Sequence, residues 1–90
     1  MPSWALAFND QSRLAMKRLD PWLQEAILDE LDALAANPGV LRRSGTSPVA
    51  VADLIRDFEK QRHYVFLSIE VNVTARRLEL VDVGHYSRPI

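Results

Sequence analysis

The amino-acid sequence predicts an α+β domain in which two helices pack on one face of a small, mostly antiparallel β-sheet. Three features predict this class: a stripe of aliphatic residues with helical spacing, a regularly alternating strand after it, and strand-like segments on either side of that strand. Helices followed by a run of strands are typical of α+β domains. The predicted order is β-α-α-β-β-β, and the 90 residues are expected to form one domain, 1–90.

The first predicted strand runs from Trp4 to Phe8, where large apolar side chains alternate with alanines. Asn9 and Asp10 follow, and both residue types cap the N-terminus of a helix well. We therefore expect a short helix from Gln11 to Leu19. Its apolar positions are few, so this helix depends on packing against its neighbours.

A second helix is predicted from Trp22 to Ala36. Asp20 and Pro21 favour a helix start, because aspartate caps the first turn and proline lacks an N–H that would have no partner there. The aliphatic residues on its expected inner face are Leu23, Ile27, Leu31, Leu34 and Ala35. The Asn-Pro-Gly sequence at 37–39 is expected to end the helix.

The strongest strand is predicted around 64–71, where side chains alternate with the period of two of a strand with one buried face. That face consists of Val65, Leu67, Ile69 and Val71. Because Tyr64 and Phe66 make the other face partly apolar, we expect this strand to lie inside the sheet. The residues of the helix and strand expected to be almost fully buried are Ile27, Leu31, Leu67 and Ile69.

Two further strands are predicted around the strongest one. A loop from Val40 to Pro48 precedes a strand from Ala52 to Phe58, and Glu59 to Arg62 make the hairpin connection. On the other side, a turn over 72–75 leads to a strand from Leu78 to Val83. The next residue, a glycine, is expected to end this strand. The side chains expected to project beyond its end are His85, Tyr86 and Arg88.

Composition and charge exclude several classes of protein. The chain has no cysteine, which excludes disulfides and cysteine-based metal sites. No apolar run approaches the roughly 20 residues of a membrane span, and the N-terminus lacks signal-peptide features. We therefore expect a cytoplasmic protein that does not contact membranes. The net charge of −1 disfavours a simple nucleic-acid-binding domain.

A set of short sequence features, in a fixed order, resembles a known family. The features are Trp4 to Phe8, the Arg18-Leu19-Asp20 junction, Leu34 with Asn37-Pro38, Tyr64 in a strong strand, Leu78 to Val83, and the Val83-Gly84-His85 ending. In their order and spacing they resemble the RelE/ParE superfamily of toxins from bacterial type II toxin–antitoxin systems. The fold that this resemblance implies agrees with the α+β fold read from periodicity.

The resemblance implies a toxin whose partner is a cognate antitoxin protein. RelE-like members cut messenger RNA on the ribosome, and ParE-like members poison DNA gyrase. Both are held inactive by a partly disordered antitoxin that wraps the toxin. The leading interpretation is a ribosome-dependent mRNA endoribonuclease. The alternatives are a gyrase poison and an inactive member that acts as an antitoxin-binding module.

Candidate site residues follow from the chemistry of RNA cleavage, which without a metal needs a base, an acid and cations. His85 can transfer protons near neutral pH, and Tyr86 can stack on a base or donate a proton. RelE-like ribonucleases with a His-Tyr pair near the C-terminus match these two residues. The predicted catalytic residues are His85, Tyr86 and Arg62, and the predicted RNA-binding residues are Arg56, Lys60, Arg76 and Arg88. No metal or cofactor is expected.

Two departures from the family pattern favour the alternatives. Active ribonucleases of the family commonly have an arginine directly after the tyrosine of the central strand, where this chain has Val65. Basic residues are also sparser than in ribosome-binding members. Simpler interpretations also stay open: His85 as a strand-end histidine, Tyr86 as a packing residue, and Arg56 and Arg62 as a solvated pair.

Overall fold

The computed structural model describes residues 3–41 and 47–90. The elements are strand β1 (Ala5–Phe8), helix α1 (Asp10–Lys17), helix α2 (Pro21–Ala36), a 3₁₀ turn (Pro38–Val40), and strands β2 (Val49–Phe58), β3 (Gln61–Asn72) and β4 (Arg77–Pro89). The predicted order of elements is confirmed. Of the loop predicted over Val40 to Pro48, residues 42–46 lie outside the described residues. No helix in the described ranges is long and apolar enough to cross a membrane.

The four strands form one mixed sheet in the order β1-β4-β3-β2. The β2–β3 and β3–β4 pairs are antiparallel, and the β1–β4 pair is parallel. The strongest predicted strand is β3, which has a neighbour on each side as expected. β1 pairs with β4 only as far as Leu80. Beyond that residue, β3 is the only described strand that pairs with β4.

Contrary to the prediction, β4 does not end at Gly84 but continues to Pro89 in register with β3. Gly84 lies opposite Phe66, and a Cβ on the glycine would meet the Cβ of Phe66 at 3.9 Å. Glycine is a weak strand former, but the backbone of β3 from Gln61 to Val65 needs hydrogen-bond partners, which the chain after Gly84 supplies. The residues expected to project beyond the strand therefore lie in the sheet and alternate between its faces.

The β2–β3 hairpin is longer and its turn is tighter than predicted. Only Glu59 and Lys60 connect the strands, and both have positive φ, 52° and 64°, as a type I′ turn requires. β2 begins at Val49 rather than Ala52, because β3 continues far enough to pair Glu70 with Val49.

A reciprocal cap starts α1, which confirms the predicted capping role of Asn9. The Asn9 side-chain oxygen accepts a hydrogen bond from the Ser12 N–H at 2.7 Å, and the Asn9 N–H donates to the Ser12 hydroxyl at 3.1 Å. The Asn9 amide also donates to the Val81 carbonyl at 3.2 Å. This side chain therefore ties the start of α1 to β4.

The core lies between the helices and one face of the sheet. Its buried members are Leu23, Ile27, Leu31, Leu34, Ala35, Leu54, Val65, Leu67, Ile69, Leu78 and Leu80. The four residues predicted to be almost fully buried are at most 1% exposed. Met16 of α1 packs against the same cluster, so both helices cover one face as predicted.

Candidate functional site

Near the β2–β3 turn, side chains project from both faces of the sheet. We call the face on which the helices pack the helix face, and the opposite one the open face. Val65 and His85 are paired on the helix face, where Val65 is buried. His63, two residues before Val65, lies on the same face and contacts Trp22 of α2. The residues that alternate with these along β3 and β4 lie on the open face: Tyr64, Phe66, Tyr86 and Arg88.

Two histidines contact each other on the helix face. The Nδ1 atom of His63 lies 3.0 Å from the Nε2 atom of His85. The two rings are nearly parallel, with an interplanar angle of 5° and centroids 5.3 Å apart. One ring donates its N–H and the other accepts, so the hydrogen bond requires a lone pair on at least one of them. The pair is therefore stable only while at least one ring is neutral.

Aromatic and charged groups surround the histidine pair. Trp22 stacks on Phe58 with centroids 4.4 Å apart and meets His63 edge to face at 4.9 Å. Burial and the charge of His63 lower the pKa of His85 below its ordinary value, and Asp20 partly opposes them. Arg56 lies opposite His63 in the β2–β3 register, so it belongs to the same face. Within the described residues, no three potential ligand side chains are grouped to hold a metal.

Three aromatic rings form a platform on the open face. Tyr64 and Tyr86 stack with centroids 4.8 Å apart at 15°, and Phe66 stacks on Tyr86 at 5.9 Å. The Arg88 guanidinium lies 5.6 Å from the centre of the Tyr86 ring. Tyr86 and Phe66 are 43% and 41% exposed. Exposed rings beside a cation are the side chains on which single-stranded bases stack.

Arg62 lies on the open face, where it is engaged by Asp57 of β2. Its Nε and Nη2 atoms donate to the two carboxylate oxygens at 2.8 and 3.1 Å. This hydrogen bonding lowers the pKa of Asp57 and raises the pKa of Arg62. The guanidinium fork is therefore occupied by a carboxylate in this structure.

The structure divides the predicted site residues into three groups. Tyr86, Arg62 and Arg88 share the open face, whereas His85 and Arg56 share the helix face. The third group, Lys60 and Arg76, lies in turns and joins neither of these two sets. Lys60 lies in the turn at the same end of the sheet. Arg76 lies in the β3–β4 turn at the opposite end, where its carbonyl accepts a hydrogen bond from the N–H of Ala5.

Sequence reasoning did not single out His63, Trp22 or Phe58. The contact of His63 with His85 depends on which residues of β3 and β4 face each other, and the β-bulge between Ser68 and Ile69 shifts that register. The contacts of Trp22 with Phe58 and His63 depend on how α2 packs on the sheet. The only available signal was two histidines on neighbouring strands of a predicted hairpin.

The order and pairing of these elements match RelE toxins in solved structures. A free E. coli RelE with two arginine-to-alanine substitutions gives a TM-score of 0.76 at 15% identity, over 92% of this chain and 83% of that chain. The isolated E. coli RelE toxin gives a TM-score of 0.72 at 16% identity, over 96% and 87% of the two chains. This chain has the RelE fold.

The RelE fold is also matched in a RelBE toxin–antitoxin complex from Mycobacterium tuberculosis. There the TM-score is 0.69 at 16% identity, over 96% of this chain and 94% of that chain. No family model matches the sequence, and the comparison with curated proteins also gave no match. The likeness at these identities concerns the fold, and residue roles must be argued from the site itself.

In this RelE fold, the second half of β4 has one unpaired backbone edge among the described strands. α1 lies along part of that edge, where Gln11 donates to the Asp82 carboxylate at 3.3 Å. From Gly84 onward, β3 pairs with one side of β4 and no described strand pairs with the other. His85 and Tyr86 therefore flank the same free edge, one on each face.

Proposed function

We propose that this chain is the toxin of a type II toxin–antitoxin pair and that it cleaves messenger RNA on the ribosome. One observation carries the proposal: in a chain with the RelE fold, His85 and Tyr86 flank the free edge of β4 from opposite faces. An RNA strand that passes around this edge meets a proton-transfer group on one side and a stacking ring on the other.

The proposed reaction is a metal-independent transesterification. The ribose 2′-hydroxyl loses its proton and attacks the adjacent phosphorus, and the bond from phosphorus to the 5′ oxygen of the next nucleotide breaks. The products carry a 2′,3′-cyclic phosphate and a 5′-hydroxyl. Because the pKa of His85 is lowered, its ring is mostly neutral at pH 7 and ready to accept a proton.

The basic residues supply charge around this reaction. Arg56 lies on the same face as His85, with its Nη1 donating to the Ile55 carbonyl at 2.9 Å, and its proposed role is to stabilise negative charge on the phosphate. The proposed contacts to the RNA backbone near the end of the sheet come from Lys60 and Arg88, and from Arg62 when it leaves Asp57. Arg76, at the far end of the hairpin, contacts RNA only if the bound strand extends along β3 and β4.

The proposed protein partner is a cognate antitoxin, and the surface that suits it is the outer edge of β2. β2 pairs only with β3 among the described strands, so its other backbone edge is available to an extended segment of a second chain. Val51 and Ile55 of this strand are 62% and 51% exposed. A RelE from M. tuberculosis crystallised in a toxin–antitoxin complex, which supports a partner of this kind.

Cell-free synthesis followed by a ribosome assay tests the function without exposing cells to the toxin. The chain is added to ribosomes programmed with a defined message, and the cut sites are mapped by primer extension. We expect ribosome-dependent cleavage that falls by roughly 10²–10⁴ in His85→Ala. Ser87→Ala, on the same face of β4, is the matched control and should keep the parent rate.

Other outcomes identify the alternatives. Inhibition of gyrase supercoiling with intact RNA would indicate a gyrase poison. Activity in neither assay, together with stable antitoxin binding, would indicate an inactive binding module. Full cleavage by His85→Ala would remove His85 from the mechanism while leaving the ribonuclease in place.

A further inference from the structure

We infer that His63 is a positioning residue for the proposed cleavage: it accepts the hydrogen on Nε2 of His85, so that the Nδ1 atom of His85 keeps its lone pair for the substrate. The inference rests on the proposed function, because it concerns how His85 accepts the 2′ proton. Its structural basis is the 3.0 Å contact between Nδ1 of His63 and Nε2 of His85. A hydrogen bond at one ring nitrogen decides which form the other nitrogen takes.

The two imidazole rings lie end to end in one plane. Their centroids are 5.3 Å apart, the two contacting nitrogens are 3.0 Å apart, and the ring planes differ by 5°. The N–H of one ring therefore points along the lone pair of the other, which is the favoured geometry of a hydrogen bond. The remaining nitrogens point away from each other, so a single phosphodiester can meet only one of them.

Burial and position assign the contact with substrate to His85. His63 is half-buried on an inner strand, where Trp22 meets it edge to face with ring centroids 4.9 Å apart. His85 is exposed and flanks the free edge of β4. Its Nδ1 atom has no hydrogen-bond partner among residues 3–41 and 47–90. The proposed substrate therefore meets His85, and His63 acts through it.

The tautomer preference of histidine favours His85 as the donor in this contact. Each neutral ring carries one N–H and one lone pair. If His85 donates from Nε2, His63 accepts at Nδ1, and both rings carry their hydrogen on Nε2, which is the tautomer that neutral histidine prefers in water. If His63 donates instead, both rings take the less favourable Nδ1–H form. The favoured arrangement leaves a lone pair on Nδ1 of His85, as a proton acceptor needs.

The proposed proton transfer balances with this arrangement. The 2′ O–H bond breaks as its oxygen bonds to phosphorus, and the proton goes to Nδ1 of His85. The bond from phosphorus to the 5′ oxygen breaks, and that oxygen takes a proton from water. The His85 imidazolium keeps its Nε2–H bonded to the lone pair of His63 until it returns its extra proton to water.

Nitrogen NMR tests the tautomer without an activity assay. The chain has two histidines, so a sample made by cell-free synthesis with ¹⁵N-labelled histidine gives two sets of ring signals, and His63→Asn assigns them. In the parent with both rings neutral, we expect His85 to carry its hydrogen on Nε2. A neutral His85 with its hydrogen on Nδ1 would overturn the inference.

Substitutions at His63 separate positioning from packing. His63→Leu fills the space beside Trp22 but accepts no hydrogen bond, whereas His63→Asn keeps an acceptor oxygen close to the position of Nδ1. In the ribosome assay, we expect His63→Leu to lose roughly tenfold or more in rate, up to the roughly 10²–10⁴ of losing the base itself, and His63→Asn to recover most of that loss. The double variant His63→Leu/His85→Ala should be no slower than His85→Ala, because the two residues act as a unit. Ser87→Ala is again the control, and melting temperatures verify the fold.

His63→Asp adds a measurement that a packing role would not change. The charged groups that act on His85 are His63 when protonated and Asp20 at the start of α2, and Arg56 lies opposite His63 on β2. A carboxylate at position 63 raises the pKa of His85, so the ring stays protonated up to a higher pH. Because only the neutral ring accepts the 2′ proton, the cleavage rate of this variant should begin to rise at a higher pH than that of the parent.

Each outcome supports or overturns the inference. Equal rates in the parent and His63→Leu would overturn the positioning role and leave the ribonuclease in place. Equal losses in folded His63→Leu and His63→Asn would also overturn it, since an acceptor at this position would then not matter, and so would an unshifted pH profile in His63→Asp. A parent that cleaves no RNA would remove the proposed function, and this role with it, whichever tautomer NMR shows.

Discussion

At the residue scale, the Arg62–Asp57 ion pair decides whether Arg62 is available for the proposed binding of RNA on the open face. The two side chains are 46% and 49% exposed, so water and salt screen their attraction. The pair nevertheless occupies both donors of the guanidinium fork, at 2.8 and 3.1 Å. Arg62 can therefore hold a phosphate in bidentate fashion only after it leaves the carboxylate.

Asp57→Asn should increase the affinity of the open face for single-stranded RNA. The substitution removes the carboxylate that competes with phosphate for Arg62, and we expect roughly a twofold to fivefold tighter Kd at low salt. Fluorescence anisotropy with a 2′-deoxy oligonucleotide, which cannot be cleaved, measures it. Asp53→Asn, on the same face of β2 but outside this ion pair, is the matched control. Equal gains in both variants would assign the effect to net charge.

At the element scale, the β2–β3 turn contains two residues in a conformation that L side chains adopt at a cost. Lys60 has a φ of 64°. Lys60→Gly relieves that strain, and the greater freedom of glycine in the unfolded chain offsets part of the gain. We expect a net stabilisation of about 0.5–1 kcal/mol and a melting temperature about 3–5 °C higher by calorimetry. Lys60→Ala, which keeps the strain, should show no such rise.

The sequence predicted well those elements whose apolar side chains repeat with the period of a helix or a strand. The helical stripe of α2 and the alternation in β3 record which face is buried, so their cores could be predicted residue by residue. The end of β4 and the start of β2 depend instead on the length of β3. From the sequence alone, Gly84 predicts the end of a strand. The same dependence hid the contact between His63 and His85, which exists only in the observed register.

At the scale of the whole molecule, one core supports both helices and all four strands. Leu67 lies at its centre with no exposed surface. Leu67→Ala should lower the free energy of unfolding by roughly 2–5 kcal/mol, a large part of the roughly 5–15 kcal/mol of a typical domain. Denaturant titration measures it, with Val51→Ala as the exposed control on the neighbouring strand. An unchanged midpoint for Leu67→Ala would contradict this core.

The parallel pairing of β1 with β4 constrains when the sheet can close during synthesis of the chain. β2, β3 and β4 are joined by short turns and can pair soon after they are made. β1 is synthesised first, but Ala5 cannot pair until Arg77 has been synthesised, and Phe8 cannot pair until Leu80 has been synthesised. Until the ribosome has translated β4, the nascent chain therefore cannot pair β1 with the rest of the sheet, and it also lacks His85. The nascent chain itself therefore cannot act as the proposed nuclease until residue 85 has been added.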